Sequence, residues 1–175
     1  MTVDRCPECG FDPTELQPPD TALAVRSFVR RYQAPLMRAL PGEDLDEIVG
    51  RSPGPGVWSA LEYSAHVRDI FRVFDGRVRS ALAGDEPGEM VVDWEGMVAA
   101  ASPSLERKAV ADDLADAAAT LATTLGELTP TDWELSCYTG RGHRVPVRDL
   151  ALMAVHEGSH HLLDVGRSLR AARGR

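Results

Sequence analysis

Three of the chain's five histidines fall within six consecutive residues, His156-Glu157-Gly158-Ser159-His160-His161. Residues four apart on a helix lie one above the other on the same face, so His156 and His160 can turn their rings toward a common atom. Neutral imidazole is the commonest protein metal ligand, and a divalent ion used for chemistry takes about three protein ligands with one position left open. The third ligand must then come from another element, and His66 is the candidate. The competing reading makes each histidine a hydrogen-bonded core residue or a solvent-facing one. Clustering at ligand spacing argues for metal, because unpaired polar groups are seldom buried side by side.

The same run matches the H-E-x-x-H pattern of zinc peptidases, in which the glutamate is the general base. Such an enzyme needs a further ligand downstream. The one carboxylate after His161 is Asp164, on the same helix and without an independent approach to the ion. A peptidase is therefore not expected. Glu157 and Asp164 are candidates for orienting a ligand ring by hydrogen bond, a role that ordinary helix-surface carboxylates match in sequence.

Cys6-Pro7-Glu8-Cys9-Gly10 is the second chemical signal, and it has the form of half a zinc knuckle. Two completions are open. Cys137 and His143 can supply a Cys3His set, or the arm can fold across the protein and give Cys6 and Cys9 to two histidines of the 156–161 cluster, His161 included. The second completion makes a closed four-coordinate site, structural and catalytically quiet. A redox dithiol and an unstructured arm are the remaining readings. Cys137 by itself reads as a small buried hydrophobe.

The elements that must position these residues follow from periodicity and punctuation. Residues 1–20, with Cys6, Cys9 and prolines at 13, 18 and 19, read as an irregular arm, and residues 21–172 as the helical domain. Leu23, Val25, Phe28, Val29, Leu36 and Leu40 give a first helix over 21–40, with Pro35 a kink. The Pro- and Gly-rich stretch 41–57 reads as a loop. Ser59-Ala-Leu-Glu62 is a capping box, with Trp58 and Tyr63 at staple positions, opening a helix to about residue 83 that carries His66. Residues 84–102 read as a connector, with Trp94 and Met97 assigned to the core together with Trp133. Ser102-Pro103 starts a third helix to about residue 128. Gly140-Arg141-Gly142 marks the tip of a small hairpin with His143 exposed, and Pro146 opens a fourth helix to about residue 172. The predicted fold is all-α: an antiparallel four-helix bundle with a short irregular N-terminal arm and a small hairpin before the last helix.

Composition narrows the function classes. A net charge of −8 argues against nucleic acid as a partner through a broad basic surface. No apolar run approaches the ~18 residues of a membrane span, so no membrane partner is expected either. The N-terminus lacks the apolar core of a signal peptide, which places the chain in the cytoplasm with its three cysteines reduced. One lysine, no asparagine and abundant alanine and arginine suggest a GC-rich bacterial genome.

Trp58-Ser-x-x-Glu62-x-x-x-His66 followed by His156-Glu-x-x-His160 resembles the DinB-like superfamily of metal-binding four-helix bundles, over residues 20–172. That group includes thiol-dependent maleylpyruvate isomerases and bacillithiol transferases. The resemblance implies a divalent metal, zinc above all and nickel in some members, held by His66, His156 and His160. Its isomerase branch uses Glu-x-x-x-His, a spacing that Glu157 and His161 satisfy one residue further on, and the His156/His160 pair is preferred as the closer match to the wider family. The resemblance also implies a low-molecular-weight thiol as nucleophile, mycothiol if the source is an actinobacterium, a small-molecule substrate and a homodimer. The function expected is a metal- and thiol-dependent transferase or isomerase. The alternative is a non-enzymatic stress or binding protein whose structural zinc is shared between Cys6, Cys9 and the histidines of the last helix.

Overall fold

The computed structural model describes residues 4–85, 92–140 and 143–174. Six α-helices are present among them: α1 (Thr21–Met37), α2 (Leu45–Gly50), α3 (Ala60–Ala83), α4 (Trp94–Ala101), α5 (Arg107–Gly126) and α6 (Val147–Ala172). A hairpin of β1 (Ser136–Gly140) and β2 (His143–Pro146) precedes α6. Four long helices, α1, α3, α5 and α6, form the bundle. Helices α5 and α6 each lie between α1 and α3, so α1 faces α3 across the bundle.

Each long helix contributes a stripe at helical spacing. Val25, Phe28, Tyr32 and Leu36 line the inner face of α1, and Leu114, Ala118, Leu121 and Leu125 that of α5. On α6 the stripe runs through Val147, Leu150, Ala154, Gly158, Val165 and Leu169. His66 is itself buried, at an interior position of α3. None of the helices is long and apolar enough to cross a membrane among the described residues.

The start of α3 fixes His66, and it is built as the sequence predicts. The Ser59 hydroxyl accepts from the Glu62 amide at 3.2 Å, and the Glu62 carboxylate accepts from the Ser59 amide at 2.8 Å. The Trp58 and Tyr63 rings meet edge-on at 5.3 Å, closing the staple. Glu62 also accepts from the Ser102 hydroxyl at 2.5 Å, which ties this helix start to the approach to α5. Ser59 is 2% exposed, and Ser59→Ala takes the hydroxyl partner from the partly buried Glu62 amide. The expected loss is about 1–2 kcal/mol, read as a lower denaturant midpoint at unchanged slope. A midpoint equal to wild type would mean the cap contributes nothing.

The connectors depart from expectation in three places. Asp44 accepts from the amides of Asp46 and Glu47 at 3.1 and 3.2 Å and starts α2 inside the stretch read as loop. Asp93 accepts from the Gly96 amide at 3.0 Å and starts α4 inside the stretch read as connector. Pro103 opens only a single 3-10 turn, Ser102–Ser104; the chain then extends through Leu105 and Glu106 before α5 begins at Arg107. Pro35 lies inside α1, which continues to Met37. Of the expected hairpin tip, Gly140 pairs with His143, while residues 141 and 142 lie outside the described residues.

Candidate metal centre

Successive residues of an α-helix turn by about 100°, so the pairs 156/160 and 157/161 address different neighbours. The wall of α6 beside its apolar stripe carries Glu157 and His161 toward α3. There His66 presents its ring edge-on to His161, with centroids 4.9 Å apart. One donor atom from each of His66, Glu157 and His161 lies within 4.8 Å of the others. His156 and His160 face further round, toward the N-terminal arm, where Cys6 and Cys9 complete a second group of four donors within 4.8 Å of one another. The structure thus divides the expected set of His66, His156 and His160 between two clusters, and brings His66 together with Glu157 and His161.

Each cluster contains a buried histidine nitrogen with no hydrogen-bond partner among the described residues, Nδ1 of His66 in one and Nε2 of His156 in the other. A buried polar atom left unpaired costs about 1–3 kcal/mol. Two such atoms, each on a histidine that belongs to a group of donors, fit a cation.

The His66 cluster is tuned for that role. Burial, followed by the nearby charge of His161, lowers the His66 pKa to about 4, so its imidazole is neutral at neutral pH and its lone pair is available. His161 is held from both sides. Its Nε2 lies 3.2 Å from Glu157 Oε2 and its Nδ1 lies 3.1 Å from Asp164 Oδ2. Burial opposes charge on the His161 ring, but these two carboxylates outweigh it and raise its pKa. Burial likewise raises Glu157, and the hydrogen bond and charge of His161 more than offset it, for a net lowering. Asp164 therefore orients His161 with Nε2 toward Glu157, the task expected of a carboxylate behind a metal ligand.

Aromatic rings wall this cluster. Trp58 and Trp94 pack edge-on against His66 at 5.1 and 5.4 Å, and Tyr63 stacks on His161 at 5.5 Å. Trp58 and Tyr63 were legible as a helix staple, but not as walls of a site. Trp94, assigned to the core, is only partly buried and lies against His66; α4 delivers it there. Met97 is 39% exposed and so is not a core residue, whereas Trp133 is buried as expected.

In the second cluster Cys6 Sγ lies 3.5 Å from His160 Nδ1. The Cys9 backbone amide, then the His156 ring, lower the Cys6 thiol to about 6. Burial raises the Cys9 thiol. Cys137 and His143 join neither cluster. Cys137 belongs to the strand that packs under α3; its thiol donates to the Arg77 carbonyl at 3.7 Å, and burial pushes it up to about 11. It is a protonated, apolar-sided core residue. His143 is exposed on β2.

Comparison with solved structures supports the same architecture. YfiT from Bacillus subtilis, described as "a probable metal-dependent hydrolase with an unusual four-helix bundle topology", is 13% identical and superposes with a TM-score of 0.77 over 90% of this chain and 88% of its own. A mycothiol-dependent maleylpyruvate isomerase is 21% identical, with a TM-score of 0.70 over 88% of this chain and 62% of its own, so the chain spans less than two thirds of that enzyme. No curated protein sequence matches. The model of the DinB superfamily matches residues 26–165, and with most of its length so matched the chain belongs to the DinB superfamily.

Proposed function

We propose that the chain is a divalent-metal-dependent enzyme, a transferase or isomerase that uses a low-molecular-weight thiol as nucleophile, with His66, Glu157 and His161 as the metal ligands. The observation that carries this reading is the set of donors that His66, Glu157 and His161 bring within 4.8 Å of one another, on a buried His66 whose Nδ1 has no hydrogen-bond partner among the described residues. Three protein donors leave a coordination position, as catalytic zinc sites do. Bound there, a divalent ion supplies a lowered pKa to a thiol or water and so a nucleophile at neutral pH. Zinc suits two imidazoles and a carboxylate, and nickel is the second choice. The named dependence of the similar isomerase on mycothiol makes mycothiol the first thiol to test.

The protein residues have definable tasks. His66 and His161 offer neutral nitrogen donors once His161 gives up its proton, and Asp164 keeps the His161 ring from rotating away. Glu157 brings one negative charge, so a divalent ion held by this set would keep one net positive charge. Trp58, Tyr63 and Trp94 keep bulk water from the donors and offer apolar surface to a small electrophile.

A non-enzymatic stress or binding protein was the competing reading, because a cysteine arm reaching the α6 histidines would close their site. Cys6 and Cys9 do reach α6, but at His156 and His160, so the cluster around His66 keeps all its donors. The test is turnover of a panel of small electrophiles by metal-loaded protein with mycothiol, with a simpler thiol and with none. Metal- and thiol-dependent turnover, lost in His66→Ala, is the expected result. Rates no faster than the thiol alone across the panel would remove the enzyme reading.

A further inference from the structure

We propose that Cys6, Cys9, His156 and His160 form a second, closed divalent-metal site of zinc type, separate from the His66 cluster, that fastens the N-terminal arm to α6. The four donors already lie within 4.8 Å of one another. Two neutral nitrogens and two thiolates are the donor set that selects zinc over magnesium or calcium, and four protein donors complete its tetrahedron. Nothing then remains for substrate, so this site is structural.

The arm has the backbone of a metal knuckle. The Gly10 amide donates to the Cys6 carbonyl at 3.0 Å, and the Cys6 amide donates to the Phe11 carbonyl at 2.9 Å. Gly10 makes the reversal at φ +76°, a conformation that glycine adopts without strain. Phe11 then lays its ring on His156 at 5.5 Å and covers the cluster from outside. Nε2 of His156 is buried and has no hydrogen-bond partner among the described residues.

Apart from such an ion, polar attachment of the knuckle to α6 is slight. Glu8 accepts from Arg167 at 2.9 Å, and Arg167 donates onward to Asp164 at 3.2 Å. Glu8 and Arg167 are about half exposed, and exposed ion pairs hold little. An ion bridging Cys6 and Cys9 to His156 and His160 would close a loop across nearly the whole chain. It would also fix the backbone turn that carries Glu157 and His161, since the two ligand pairs alternate along α6. The same ion would commit His156 and His160, leaving His66 to the neighbouring pair.

Metal per chain is measured by elemental analysis on protein purified without chelator or polyhistidine tag, in wild type and in Cys6→Ser/Cys9→Ser. Cobalt(II)-loaded wild type and His66→Ala are examined for thiolate-to-metal charge-transfer absorption, which requires no cysteine variant to fold. Two ions falling to one are expected, from two donor groups, with thiolate absorption in wild type and in His66→Ala. Two ions retained in the double variant, or cobalt-loaded wild type without thiolate absorption, would overturn the proposal. A single wild-type ion that disappears with the cysteines upholds this site and removes the His66 site. A single ion that survives does the reverse.

Discussion

His161→Ala is expected to lose the ion held with His66 and to reduce thiol-dependent turnover by at least about 100-fold, because even losing a residue that merely supports a ligand costs 10–100-fold. His160→Ala is expected to spare that ion and release the one bound with the cysteines. The contrast follows from placement. His161 faces His66 at 4.9 Å between ring centroids and is gripped by Glu157 and Asp164, whereas His160 lies 3.5 Å from Cys6 Sγ. Asp164→Asn should fall between the two, weakening metal at the His66 cluster by about 10–100-fold, since it disturbs the orientation of His161 without removing a donor. Metal titration with a competing chelator, followed by turnover at saturating metal, separates affinity from chemistry. Loss of turnover in His160→Ala with retention in His161→Ala would return the ligand set to His66, His156 and His160.

That choice between pairs shows how far the sequence reaches. The DinB-like resemblance carried the family and the four-helix architecture, and capping chemistry placed the start of α3 at Ser59. Motif similarity favours His156/His160 on α6, whereas the helix's own periodicity favours Glu157/His161. Val147, Leu150, Ala154, Gly158, Val165 and Leu169 mark the inward stripe. His161, about 60° from Gly158 at 100° per residue, borders that stripe, and Glu157 lies beside it; His156 and His160 point nearly opposite. A ligand that meets His66, buried on α3, must come from the inward side. The cysteine arm was legible as half a knuckle, and its partners only as one of two open completions, because residues more than a hundred positions apart share no local pattern that would choose between them. The same limit hid Trp94. Its helix, α4, is short, opens on Asp93 and lies in a connector whose composition gives no long periodicity, so nothing local pointed it at His66.

Phe28→Ala is expected to be the most destabilising single change considered, and to reverse the sign of a second one. Phe28 is fully buried, packs against Tyr32 and Phe71 at 6.1 and 5.9 Å, and lies on Gly158 of α6. Truncating such a ring costs about 3–5 kcal/mol. Alanine at 158 would by itself gain about 1 kcal/mol of helix propensity. In the wild-type background, however, its Cβ would stand 2.5 Å from Phe28 Cε2 and 2.7 Å from Cζ, well inside contact distance. The ring is fully buried between Tyr32 and Phe71, and the backbone at Gly158 is also tied by the Tyr32 hydroxyl, which donates to its carbonyl at 2.9 Å. Overpacking of this kind costs about 1–3 kcal/mol, so Gly158→Ala should destabilise wild type and push Glu157 and His161 off their approach to His66. With Phe28 already alanine, the obstruction is gone and the added methyl enters the space it left, so Gly158→Ala should then stabilise by about 1 kcal/mol. Denaturant midpoints of the four proteins in this double-mutant cycle decide it, and metal affinity should follow the same reversal. Additive free energies would mean that α6 simply shifts to accept the methyl, and that the close packing of α1 on α6 at this turn is not what sets the distance between His66 and its partners.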